Sequence, residues 1–352
     1  MRANRSTSHA TRKALKAGSL GPLALGVLGV TCFSLTLPAT TAAEASFSAV
    51  EIGGGRSVIA AVLAIAILGA RGERLLPPRA ALGRVLIVAG PVGIGFGLLT
   101  AIALRDVSSA HGAVLTGLIP AATAGMAVLR AGERPRPAYW AALTIGLAVV
   151  VGFAVAQGGG RLRPADLVLL AAVAIAGIGY TEGGLLAREY GGWRVICWVV
   201  VIAAPVTVPV TVVAALTAPP RPLTVGALLG LGYLGTFSMC IGFFAWYQAM
   251  ALGGVARIGL LQLAQPALTL GWSVLLLGEH VGWLTALCAL AVIAATAVGR
   301  NARVDERPVP IQSDAPLSSA VSAARPLRLG PPAVIVLPCP VPGRSSRHQG
   351  AR

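Results

Sequence analysis

Charge is scarce in this chain. Only 11% of the 352 residues are Asp, Glu, Lys or Arg, against about a quarter in a soluble globular domain. With a hydrophobic share of 56% and a mean hydropathy of +0.79, that shortage excludes a water-soluble domain and puts the chain in a bilayer. Lysine is confined to Lys13 and Lys16. Aromatics make up 5% and do not interleave with the arginines, so the formal charge of +16 builds no nucleic-acid-binding face. The five cysteines, Cys32, Cys197, Cys240, Cys288 and Cys339, have no CxxC or metal-ligand spacing, which leaves them as small apolar fillers. HExxH, GxSxG and Walker patterns are missing, so no catalytic motif, metal or cofactor is expected. Short alternating segments are missing too, and their absence argues against a transmembrane β-barrel.

What the chain does have is long apolar runs, each near the roughly 20 residues that carry a helix across hydrocarbon. The first run, about residues 20–37, follows a basic tail (1–19) and precedes PATTAAEA. This resembles a signal peptide, but its removal would leave the first half one helix short of the second, so it is expected to stay as the first helix. Further spans cover about 47–70, then up to 104, 109–129 and 138–156. A Gly/Arg/Pro linker (157–166) follows, then spans near 167–187, 193–216, 223–252, 255–277 and 282–299. The expectation is an all-α integral membrane fold of ten helices, with residues 20–156 and 167–300 as two five-helix repeats. The Pro/Ser/Arg-rich tail, 301–352, is expected to be disordered and cytoplasmic.

The repeat is visible in two stretches that lie 146 residues apart, LTGLIPAATAGMAVLRAGE (115–133) and LQLAQPALTLGWSVLLLGE (261–279). They share Pro120/Pro266, Thr123/Thr269, Gly125/Gly271, Gly132/Gly278 and Glu133/Glu279 without a gap. Apolar low complexity imitates leucines, but it does not place a proline, two glycines and a glutamate twice at one spacing.

Arginine placement gives the orientation. With the N-terminus inside, the inner loops hold ten arginines and the outer loops only Arg105, Arg161, Arg163 and Arg221. Both termini are therefore expected to be cytoplasmic, in the cell (inner) membrane. Five helices per repeat force the halves into opposite orientations, an arrangement typical of secondary transporters with a midplane site.

The duplicated motif, PAATAGMAVLRAGE and PALTLGWSVLLLGE, resembles that of the EamA-domain transporters of the drug/metabolite transporter superfamily. The resemblance extends over about residues 20–300 and includes GGGRSVIAA with its Arg56. It implies a ten-helix inner-membrane carrier, not an enzyme, whose central cavity is lined by the first four helices of each half. It also implies small metabolites, amino acids or drugs as cargo, moved by alternating access and often outward. The competing reading is a non-transporting polytopic protein, an intramembrane enzyme or signalling scaffold, on the same fold. Expected partners are the lipid bilayer, a small-molecule substrate and protons, with no nucleic acid.

Candidate residues follow from depth and chemistry. Glu182 sits deep in the sixth span, where an acid faces a cavity or a partner and often carries protons. Its alternative is a structural pair with a cytoplasmic-end arginine such as Arg84 or Arg257. Arg56 lies near the outer end of the second span, to hold a substrate anion or to snorkel outward. Its depth differs from that of Glu182 by about 15 Å, so the two are not expected to pair. Tyr180, Trp246 and Tyr247 are candidate aromatic pocket walls. Pro120 and Pro266 fall near the midplane from opposite entries and release the carbonyls of Thr116 and Gln262. With Gln265, these form a polar set for one central site. His111 is expected to be solvated or capping, and Glu133 and Glu279 to close helix ends. The string GPVGIGFG (90–97) is read as close helix packing, not as a nucleotide loop.

Overall fold

A computed structural model describes residues 21–131 and 162–301, together with eight single helical positions between 141 and 155. Among the described residues every element is helical and no strand occurs. The long helices are α1 (Pro22–Ala43), α2 (Ala49–Ala70), α3 (Arg79–Ala103), α4 (Ser109–Arg130), α5 (Pro164–Tyr190), α6 (Gly192–Thr217) and α7 (Val225–Gly253). These seven are long and apolar enough to cross a membrane. Two more helical elements follow: α8, whose segments run Val255–Gly259, Leu260–Ala264 and Gln265–Leu277, and α9 (Trp283–Asn301). The expected span at 138–156 falls largely outside the described residues, as do both tails, the first half of the linker, and Glu133. Among the described residues, seven helices are long and apolar enough to cross, and ten crossing helices are not shown.

Local sequence accounts for the helix starts. Ser48 Oγ accepts from the Glu51 amide at 3.3 Å while Glu51 Oε2 accepts from the Ser48 amide at 2.7 Å, a reciprocal cap that opens α2. Thr224 does the same one-sidedly for α7. Helix α5 opens three residues earlier than its hydropathy suggests. Pro164 fits the first turn, which has no helical N–H partner to lose, and Asp166 accepts the Arg163 amide at 2.9 Å. Asp166 is thus in a helix and not in the linker.

The two expected repeats deviate from regular helix at matching places. Helix α3 widens into a π segment at Ala89–Gly95, and α7 does so at Leu234–Gly242. A shift of 146 residues carries the first onto Gly235–Ile241, inside the second. Helix α4 breaks between Thr116 and Ile119, and α8 tightens to a 3₁₀ turn over Leu260–Ala264. In each case the next helical segment restarts with a proline in second place, Ile119–Pro120 and Gln265–Pro266. A proline there loses no helical hydrogen bond and avoids the clash it would cause further in.

Helix α1 belongs to the bundle core. Its Phe33 ring meets Phe243, Trp246 and Tyr180 at centroid distances of 4.9, 5.9 and 6.0 Å. The Ser34 carbonyl accepts from Thr269 Oγ1 at 2.8 Å, and Ser34 Oγ accepts from the Trp272 indole at 3.1 Å. On the outside, Val206, Val210, Val213 and Leu216 of α6 are exposed, an apolar face suited to lipid. The GPVGIGFG string packs as expected: a methyl on Gly93 would stand 2.9 Å from Ala203 Cβ.

Candidate functional site

The breaks in regular helix surround one small buried cavity of about 10 Å³, room for about one water. Phe33, Thr36 and Leu37 of α1, Arg56 of α2, Val92 and Phe96 of α3, and Thr116 of α4 line one side. Ala176 and Tyr180 of α5, Ser238 and Phe243 of α7, and Gln265 of α8 complete it. Both halves contribute; α6 is not among the lining helices. Val92 and Ser238 come from the two π segments, and Thr116 and Gln265 from the two proline breaks. Each irregularity therefore turns a side chain toward the same point.

Arg56 is the charged member of this lining and is only 4% exposed. Its Nη2 donates to Ser238 Oγ at 3.3 Å and lies 3.7 Å from Met239 Sδ. Its Nε and Nη1 are buried without a partner. Ser238 Oγ is also 2.9 Å from Thr36 Oγ1. The stem is held by a missing side chain: a Cβ on Gly97 would stand 2.8 Å from Arg56 Cδ, so only glycine leaves the stem its channel. The snorkelling alternative does not apply, because the guanidinium points into the bundle.

The other candidates divide. Tyr180 and Gln265 face the cavity. Thr116 does so with its hydroxyl bonded back to the Gly112 carbonyl at 2.9 Å. Gln262 is buried next to the lining but not part of it, its Nε2 3.5 Å from Gln265 Oε1 and its side chain hydrogen-bonded to Tyr180. Trp246 and Tyr247 do not line the cavity. Both are fully buried, Tyr247 donating to the Gly179 carbonyl at 3.1 Å and Trp246 packed on Phe33 and Tyr180. Apolar bulk drew them into helix contacts, which correct their assignment as pocket walls.

Glu182 lies away from the cavity in an ion cluster. Its carboxylate accepts from Arg84 Nε at 2.5 Å and from Arg130 Nη2 at 2.8 Å, and Arg84 also reaches Glu189 at 2.6 Å. This is the pairing alternative, with Arg130 as an unforeseen second partner; no bond to Arg56 exists. Arg194 pairs with Glu73, and the Trp198 indole donates to the Arg74 carbonyl at 3.0 Å. The bonded Arg194 holds the exposed Glu73 carboxyl below its ordinary range.

A second set of contacts closes the other end of the bundle, about 24 Å away along α5 at 1.5 Å per residue from Asp166 to Glu182. His111 is buried, its Nε2 2.7 Å from Oδ1 of the fully buried Asp166; it is neither solvated nor a cap. Glu279 caps a helix in the opposite half. Gly278 adopts a left-handed φ of 64°, which ends α8 and turns the chain aside. The Glu279 carboxylate then accepts the Ser109 and Ala110 amides at 3.0 and 2.9 Å. With Ser108 Oγ accepting the His111 amide at 3.1 Å, the first turn of α4 has its orphan donors satisfied. Ser273 Oγ meets Ser109 Oγ at 3.0 Å beside it. Near this end Glu44 has its carboxyl pushed up to about 7 by burial, with Arg105 opposing and Asp106 adding to the shift.

Sequence reading missed Ser238, Thr36, Gly97, Arg130 and the His111–Asp166 pair. Serines and threonines are common in spans, and nothing in their spacing singles these out. Asp166, two residues beyond Pro164, carried a helix-start signal that the linker assignment overrode.

A helical bundle with an exposed apolar face and a small, mostly apolar cavity that carries one arginine fits a polytopic membrane protein. The chain belongs to the EamA-like transporter family, whose model matches residues 20–155 and again 163–298. Its sequence is 42% identical over 278 residues to a protein described as "Uncharacterized transporter YdeK" of Bacillus subtilis (strain 168), a match covering 78% of this chain and 96% of that one. A crystal structure at 22% identity superposes with a TM-score of 0.57 over 79% of this chain and 95% of its own, a likeness of fold.

Proposed function

We propose that this protein is a secondary transporter that moves small metabolites by alternating access of two inverted five-helix halves, residues 20–156 and 167–300. The observation that carries the reading is the closed cavity of paired irregular helices, flanked at both ends by polar contacts that join the halves. At one end Arg84 and Arg130 of the first half hold Glu182 of the second. At the other, α4 of the first half is held by Glu279 of the second and by Asp166, just before the second half in the first turn of α5. A carrier needs a central site and two gates that open in turn, and this geometry supplies candidates for each. Arginine placement supports cytoplasmic termini, with the Glu182 cluster at the inner end and Glu279 at the outer.

Counterflow in proteoliposomes tests the proposal. Vesicles preloaded with each of a panel of unlabelled carboxylates, amino acids, amines and sugars are expected to accumulate the matching labelled compound for at least one class. Counterflow for none of them would overturn the transport reading. The driving ion is read from the same vesicles: if protons couple, a pH step alone drives net uptake, and an uncoupler abolishes it.

A further inference from the structure

Arg56 is a permanent cation buried where most of its donors have nothing to bind. Arginine stays protonated in proteins, so burial cannot be relieved by loss of the proton. A buried guanidinium is ordinarily matched by a carboxylate, yet the ion pairs among the described residues engage Arg84, Arg130, Arg194 and His111 instead. Its one oxygen partner, Ser238, is neutral, and at 3.3 Å that contact is long. Nε and Nη1 are buried and unpartnered, and the side chain lines the cavity. None of the residues that share this lining is acidic.

The geometry points to a substrate that brings the missing charge: we infer that the cavity takes a small organic monoanion, its carboxylate bound by Arg56 and its apolar body lodged among Phe33, Tyr180 and Phe243. Nε–H and the second N–H of Nη2 lie side by side and match the two oxygens of a carboxylate, while Nη1 offers further donors. The three rings stand together beside the guanidinium, Phe33 to Phe243 at 4.9 Å and Tyr180 to Phe243 at 5.6 Å. A cationic substrate would face Arg56 with no counter-charge in the lining, and a zwitterion would bring an ammonium that no carboxylate there can meet. The asymmetry of the repeats agrees, because the position 146 residues after Arg56 is Ile202, so the site carries one cation and not two. Gly97, which leaves room for the Arg56 stem, fixes the charge at the cavity wall. The inference rests on the transport reading in one respect: the cavity in its closed form holds about one water, so the substrate enters only when a gate opens.

The test uses full-length protein in nanodiscs and four probes with one phenyl group each: 3-phenylpropionate, 3-phenylpropanol, L-phenylalanine and 2-phenylethylamine. Binding is measured at equilibrium without any gradient. In the wild type the anion is expected to bind at least tenfold more tightly than the alcohol, the zwitterion or the amine. In Arg56→Gln the anion's advantage over the alcohol is expected to fall to about one, while Arg56→Lys keeps part of it. Thermal unfolding without ligand checks the fold, and Arg56→Gln is expected to unfold no earlier than wild type, since it removes an uncompensated buried charge. Wild-type binding of the alcohol, zwitterion or amine as tight as that of the anion would overturn the inference, as would an unchanged preference in a folded Arg56→Gln. Arg56-dependent binding without counterflow would leave the anion site standing and remove transport. Counterflow of a neutral or cationic compound, indifferent to Arg56→Gln, would do the reverse.

Discussion

Gly97 and Glu44 show how much single positions decide. A side chain at 97 collides with Arg56 Cδ, and α2 and α3 leave the stem no other channel. Gly97→Val is therefore expected to lower stability by about 1–3 kcal/mol, as overpacking does, and to weaken anion binding because the guanidinium is displaced. Urea or SDS unfolding and the binding assay check the two effects, and valine tolerated in both would show that the stem has room. Glu44 gives a pH signature. Its carboxyl is raised from 4.5 to about 7, first by burial, so the folded state holds a proton that the unfolded state has released. Stability from this group is full below about 4.5 and is lost as pH rises through about 7. Glu44→Gln, which cannot ionise, is expected to flatten the fall in melting temperature between those values; an equal slope in both proteins would refute the assignment. Neither position was legible in the sequence. Gly97 looked like one of several packing glycines, and Glu44 drew no reading, because neighbours that set a glycine's clearance or a carboxyl's solvation come from distant parts of the chain.

At the scale of elements, the family's proline and Gly-Glu positions acquire separate duties. The prolines restart a helix after a break, which lets Thr116 and Gln265 reach one cavity from opposite directions. A matched irregularity followed from the repeated proline, but the released carbonyl did not: the Gln262 carbonyl accepts from the Gln265 amide, because each proline sits in a first turn where it costs no helical bond. The π segments did not follow either, because widening a helix by one residue per turn leaves no residue signature beyond scattered glycines; they were found only as a pair at the 146-residue offset. Glu279 was legible as a helix end but not as the cap of another helix, a partnership across the halves that hydropathy cannot register. Its two amide bonds serve donors at the start of α4. Glu279→Ala is thus expected to cost about 1–2 kcal/mol, the upper range for a lost cap, with Glu279→Gln restoring part of it through its carbonyl oxygen. Equal unfolding midpoints for the alanine variant and wild type would show that the contact contributes nothing.

For the whole molecule, the proposed alternating access makes the two closures compete for one equilibrium. On that reading the halves cannot open at one end while Arg84 and Arg130 hold Glu182, nor at the other while Glu279 holds the first turn of α4. In the Glu182 cluster the arginines are 33% and 46% exposed, so each pair contributes about 1 kcal/mol, and the Glu279 cap at the other end contributes about 1–2 kcal/mol. Weakening either by one or two kcal/mol changes the population of the opposite opening roughly 5- to 30-fold. Thr116 lines the cavity and reports which way it opens. In a background with Cys32, Cys197, Cys240, Cys288 and Cys339 replaced, Thr116→Cys is labelled with a membrane-impermeant thiol reagent added to vesicles of known sidedness. Glu182→Gln is expected to raise labelling from the cytoplasmic side by about that factor and to lower it from the outside, whereas Glu279→Ala does the opposite. Because the two substitutions remove different acids at opposite ends, a general loosening of the bundle would raise labelling from both sides in both variants. Only opposed responses fit two gates that share one cavity, and matched responses would remove both clusters from the mechanism while leaving their contribution to stability intact.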